Sequence, residues 1–217
     1  REHANDRRSI VLVPDSYLVA HMTLASLLLA GDEDNVREAV AYAHEAVRLA
    51  PNTLAAHLLL VASLEQCEEV EDAADELRHV LETAFDLQGI GLGYYRMANL
   101  QWELGNQDAC QACYQRAAMV TPGLIPLIMA ECEALVQNGM EFDEGMDVRK
   151  VESTLSSYDI PVAPTEHTAY ALYDSATASV DAEVFPVARD LMNVLTSLTG
   201  DDVLRGIRNS IENEPDH

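Results

Sequence analysis

Positive charge is what this chain has least of. Lys150 is its one lysine, and 13 basic residues stand against 37 acidic ones, for a net charge of −24. A polyphosphate backbone is held by clustered cations that release its counterions, and an anionic membrane surface attracts polybasic segments. Neither requirement is met, so nucleic acid and membrane binding by this segment are not expected. A basic partner is the one such a field favours, although the same charge also serves simply to solvate the surface. Glycine and proline are sparse as well, at 10 and 8 of 217 residues, and 48% of the chain is hydrophobic, which excludes a disordered polypeptide. Runs of β-branched residues are rare beside abundant alanine and leucine, so a sheet is excluded and an all-α fold expected. The longest apolar stretch, residues 17–30, is too short to span a bilayer and is interrupted by His21 and Thr23. No secretory h-region is present.

Catalytic and metal-binding signatures are also missing. His44 and Glu45 are followed by Ala46, Val47 and Arg48, so there is no HExxH, and no serine sits in GxSxG. Cys110 and Cys113 form a CxxC, but both fall inside a helical pattern. Cys67 and Cys132 are isolated from them, whereas structural zinc needs four ligands. Packing is the expected role of the pair. Gly89, Gly91 and Gly93 spell GxGxG with no strand before them, and a phosphate cradle needs that strand. Asp32, Glu33, Asp34 and Asn35 resemble the opening of a calcium loop but lack its glycine and terminal glutamate at the required spacing; a solvated turn accounts for them. The expectation is no enzyme, no metal and no cofactor. Four cysteines without a secretory signal point to a reducing, cytoplasmic compartment, unless a segment upstream of Arg1 redirects the chain. Scarce lysine beside abundant Ala, Val, Asp and Arg matches a GC-rich bacterial genome.

What is present is a recurring interval. Ala39, Ala43, Ala46 and Pro51 are followed by Ala73, Leu77, Val80 and Phe85, then by Cys110, Tyr114, Ala117 and Pro122, with the same internal spacing. A parallel series runs His21, Leu24, Ala25, Leu28, then His57, Leu60, Val61, Leu64, then Tyr94, Met97, Ala98, Gln101. Spacings of three and four put each set on one helical face. From Ala39 to Ala73, and from Pro51 to Phe85, is 34 residues, the period of helix-turn-helix repeats. His21 and His57 occupy the same slot as Tyr94, so they are expected to pack.

On these residues, with Gly105 at the turn, the segment 18–122 resembles the tetratricopeptide repeat (TPR) family. The resemblance implies a right-handed α-solenoid of stacked antiparallel helix hairpins. The expected organisation is the tail of an upstream helix or an N-terminal extension over 1–15, with Ile10, Val11, Leu12, Val13 and Pro14 toward its end, and an array over 16–158. Its repeats fall at about 18–53, 54–87 and 91–124, with a degenerate one at 125–158; a C-terminal helical hairpin plus a capping helix covers 159–217. The departures from the pattern, an extension at residues 31–35 and an insertion of Gln88, Gly89 and Ile90, are expected in turns. Residues 160–164, with two prolines, form an extended connection. Thr165 caps a helix reaching about Ala178, Asp181 begins another, Gly200 stops it, and Asp201 caps a last helix whose Val203, Leu204, Ile207 and Ile211 face inward. Opening on Arg1, the chain is expected to be a processed product or a piece of a longer array.

The resemblance also implies where a ligand would sit. The first helices of a TPR array line a concave groove, here with Met22, Leu58, Leu59, Ala62, Leu92, Tyr95, Arg96, Asn99, Trp102 and Met129. The family's chaperone-tail clamp would need lysine, asparagine and arginine at Met22, Ser26, Leu59, Leu92 and Arg96; only Arg96 fits, so that clamp is not expected. Tyr95 and Trp102 offer flat apolar surface with few rotors to freeze, and Asn99 can pair with a ligand backbone. The expected function is a noncatalytic protein–protein interaction scaffold taking a peptide or partner protein, basic or apolar, in the groove. The alternatives are a self-associating structural array, homo-oligomeric or with the groove filled by its own last helix, and the regulatory arm of a larger enzyme or transcription regulator.

Overall fold

The computed structural model describes residues 14–31, 35–141 and 146–212. The expected helix tail over 10–13 and the acidic residues Asp32, Glu33 and Asp34 lie outside them. Among the described residues the chain is all-α, with eleven α-helices, one 3-10 turn and no strand. It divides into two compact units, Arg1–Cys67 and Glu68–His217. The division falls inside the second expected repeat, 54–87, where Glu68 has a left-handed backbone, φ 61°.

The first unit holds α1 (Asp15–Leu29), α2 (Val36–Leu49) and α3 (Leu54–Gln66), with α1 packed on both of the others. The inward stripe of α2 is Val36, Ala39, Ala43 and Ala46, and α1 buries Ala25. Side chains this small let the helix axes approach closely. His57 is buried, and its Nε2 donates to the Pro51 carbonyl at 2.8 Å, tying the turn to the helix that follows. His21 stacks between Tyr17 and Tyr42, with ring centroids at 4.4 and 5.7 Å. Both histidines therefore pack.

In the second unit, α4 (Val70–Thr83), α5 (Leu87–Glu103) and α6 (Gln107–Val120) pack in succession. Residues 88–90 are not a turn insertion. They form the first turn of a 17-residue α5, because the Asp86 side chain caps it by accepting from the Gly89 amide at 2.6 Å. Gly105, at φ 78°, reverses the chain into α6. The α5–α6 seam buries Tyr94, Met97, Ala98 and Leu100 against Cys110, Cys113, Tyr114 and Ala117. A 3-10 turn (Pro122–Leu124) leads to α7 (Ile125–Gln137), which buries Ile128 and Leu135 and stops at Asn138 and Gly139. After it, α8 (Val148–Ser157) packs chiefly on α6, burying Val151 and Leu155.

Three further helices close the unit. The hydroxyl of Thr165 caps α9 (Glu166–Asp181) by accepting from the Thr168 amide at 3.2 Å. Asp181 ends this helix instead of starting the next; α10 (Phe185–Thr199) begins after a turn in which Glu183 has φ 59°. Pro186 lies in the first turn of α10, and Gly200, left-handed at φ 66°, ends it. Asp201 caps α11 (Asp202–Glu212) through the amides of Val203 and Leu204. Leu204 and Ile211 join a cluster with Ala176, Ala188, Met192 and Leu195. Val203 and Ile207 do not face inward as expected: they are 73% and 38% exposed. The helix packs chiefly on α10, and that contact takes only part of its apolar stripe.

Residues 159–217 are not separate from the helices before them. The Thr165 and Thr168 hydroxyls both donate to the Glu82 carbonyl at the end of α4, at 3.2 and 2.7 Å. Tyr94 and Arg116 reach the connection over 160–164.

Candidate functional site

Helix α5 carries two faces. Tyr94, Met97, Ala98 and Gln101 are buried, while Leu92, Tyr95, Arg96, Asn99 and Trp102, one to four residues apart, share a half-buried face. In the first unit Met22, Leu58, Leu59 and Ala62 are half-buried too; on α7, Met129 is exposed. The ten expected site residues are thus divided between the units, four in the first and six in the second.

Within the second unit the polar groups of this face are partly committed. Tyr95 donates to Glu131 Oε1 on α7 at 3.1 Å, and its ring lies 6.0 Å from that of Tyr114, tilted by 56°. Tyr114 in turn donates to Asn99 Oδ1. The oxygen expected to meet a ligand backbone therefore already accepts a hydrogen bond from the α6 tyrosine. Burial, and then the Glu131 carboxylate, raise the Tyr95 phenol above its ordinary value. Burial first, and then neighbouring thiols and carboxylate, hold Tyr114 protonated far above it. These phenols donate and pack.

Along α7, residues Met129, Cys132, Glu133, Val136 and Gln137 line an open hollow of about 470 Å³. Of these, Met129 is an expected site residue. Two smaller hollows flank Phe85, one of about 320 Å³ against Val194 and Leu198 and one of about 260 Å³ against Ala171 and Leu172. The residue in the slot that repeats one and three fill with proline is thus a half-exposed ring between α9 and α10 residues.

The remaining motifs resolve into packing. Gly91 and Gly93 lie inside α5, where their amides serve the helix. A Cβ at Gly91 would stand 2.2 Å from Thr121 Oγ1, and one at Gly93 would stand 3.0 Å from a Leu81 methyl. Thr121 is held there by donating to the Leu87 carbonyl at 2.6 Å. Cys110 and Cys113 are buried thiols. Burial, and then nearby Cys132, push Cys110 up to about 12, and burial holds Cys113 well above its ordinary value. Neither is a thiolate near neutrality, the form that attacks or ligates. No group of three or more metal-ligating side chains occurs among the described residues, and no described helix is long and apolar enough to cross a membrane.

One arrangement has no counterpart in the sequence pattern. Residues 160–164 cross the α5–α6 seam as a strap. Tyr94 Oη donates to the Pro161 carbonyl at 2.6 Å and accepts from the Ala163 amide at 2.8 Å. Arg116 Nη2 donates to the Ala163 carbonyl at 2.9 Å, and its Nη1 pairs with Glu152 at 3.4 Å. Ile160 and Ala163 are buried beneath. The partners of Tyr94 are 67 and 69 residues away in sequence, beyond the reach of any local pattern. No family model, no curated protein and no solved structure matches this chain.

Proposed function

We propose that this chain is a noncatalytic interaction module of the tetratricopeptide type, stacking helix pairs and taking a peptide or partner protein on the first-helix faces. The observation that carries the reading is the register of burial. Ala39, Ala43 and Ala46, then Ala73, Leu77 and Val80, then Cys110, Tyr114 and Ala117 hold the same relative places, and all nine are buried. Beside them, the half-buried face of α5 keeps Leu92, Tyr95 and Trp102 within reach of solvent, and α7 exposes Met129 and Val136. Aromatic residues that are rigid and partly exposed are the usual anchors of a binding surface. The alternative in which the last helix fills the groove is not favoured, since Ile211 and Leu204 pack with Met192 and Leu195 instead.

The test is a peptide-array screen with the intact chain, followed by titration of the selected peptide against Trp102 fluorescence and, for variants, calorimetry. Truncating two anchors worth about 2 kcal/mol each lowers affinity by roughly 1000-fold if they act independently. The Tyr95→Ala, Trp102→Ala double variant is therefore expected to lose binding by at least tenfold while staying helical. Unchanged affinity in that variant would reject the α5 face.

A further inference from the structure

The strap is held as a bound peptide is held. Tyr94 and Arg116 hold it through main-chain atoms: the Pro161 carbonyl, the Ala163 amide and the Ala163 carbonyl. Hydrogen bonds of this kind read an extended backbone irrespective of its side chains. Selectivity then comes from the two strap residues that are buried, Ile160 and Ala163, three apart, while Pro161 and Val162 remain half-exposed. Such a site prefers an apolar residue, then two loosely specified ones, then a small one.

One observation says that the strap is an imperfect occupant. Arg116 Nε is buried without a hydrogen-bond partner. It shares one edge of the guanidinium with Nη2, the donor that holds Ala163. The site therefore offers one more hydrogen bond than the strap takes.

We propose that Tyr94 and Arg116 form a second peptide-binding site, outside the first-helix groove, which residues 160–163 occupy in cis and which an extended segment of like chemistry occupies in trans. The ligand class is a neutral extended peptide with an apolar residue at the place of Ile160 and a small one at the place of Ala163. An acceptor within reach of Arg116 Nε favours it over the strap. This site uses none of the residues assigned to the groove, so the two readings stand or fall separately.

The probe is an acetylated, amidated peptide reproducing residues 159–165, titrated into the full chain by calorimetry. Ala163→Asp places a charge in the buried position and unseats the strap. That variant is expected to bind the probe at least tenfold more tightly than the unaltered chain, and adding Tyr94→Phe is expected to remove the gain. Equal affinity in the two chains, or a gain that survives Tyr94→Phe, overturns the proposal. A second measurement needs no variant. In native-state hydrogen exchange the Ala163 amide is expected to exchange at least tenfold faster than that of Met97 inside α5, the mark of a strap that lifts without unfolding. Equal rates overturn the proposal as well.

Discussion

A single hydrogen atom decides the fit at Gly91. Its helix passes so close to the end of α6 that a methyl group would overlap Thr121 Oγ1 at 2.2 Å and Cβ at 2.6 Å. Since Thr121 is itself bonded to Leu87, it cannot simply turn away. Gly91→Ala is therefore expected to destabilise the chain by about 1–3 kcal/mol, the usual cost of overpacking. Gly206→Ala in α11, where nothing lies within 4 Å, should instead gain about 0.4–1 kcal/mol by restricting the unfolded chain. Urea unfolding of the two variants checks both signs, and a neutral Gly91→Ala would show that α5 shifts freely. The sequence supplied the glycines and the absence of a strand before them, enough to reject a phosphate cradle. The atom they make room for lies 30 residues on, across a helix contact, and was not legible.

Elements were legible where their signals are local. Thr165 and Asp201 as caps, and Gly105 and Gly200 at a turn and a stop, depend on one turn of backbone and its first side chain, and the structure bears each out. The boundary between α9 and α10 was missed because Asp181 is a good cap that tertiary packing did not use. The inward stripe of α11 was overread because four apolar residues at helical spacing do not reveal how wide the facing surface is. Only Leu204 and Ile211 join the cluster of α9 and α10 residues. Ile211→Ala is accordingly expected to cost about 2 kcal/mol, toward the low end for an isoleucine because the site is at the edge of its cluster. Val203→Ala, at 73% exposed, should stay within about 0.5 kcal/mol of neutral. Paired urea melts distinguish the two, and equal losses would mean that α11 buries its whole stripe.

Across the whole molecule the titratable groups act together. In the unfolded chain thiols and phenols ionise near pH about 8.5 and 10. In the folded chain burial holds Cys110, Cys113, Tyr94, Tyr95 and Tyr114 protonated to higher pH. Above pH about 8.5 the unfolded state therefore binds fewer protons than the folded one, and stability falls as pH rises. The stability these groups contribute is fully present at neutral pH and is lost on the way to their folded values. Each ionisation also adds to a chain already at −24, so salt should recover part of the loss by screening. Urea midpoints at pH 7, 9 and 10.5, with and without added salt, check this. A midpoint unchanged at pH 10.5 would show that these side chains are not buried as described.

By itself the sequence determined the helical class, the buried register and most helix ends, because each of these follows from periodicity, small-residue spacing and cap chemistry within a few turns of backbone. It also determined the charge. Tertiary structure alone decided that Asn99 is taken by Tyr114, that α8 lies on α6, and that Tyr94 and Arg116 hold a strap. Those outcomes depend on which distant atoms arrive within 3 Å or so of one another. A buried tyrosine reads the same in the sequence whether its hydroxyl meets water, a neighbouring helix or the backbone of a segment 67 residues away.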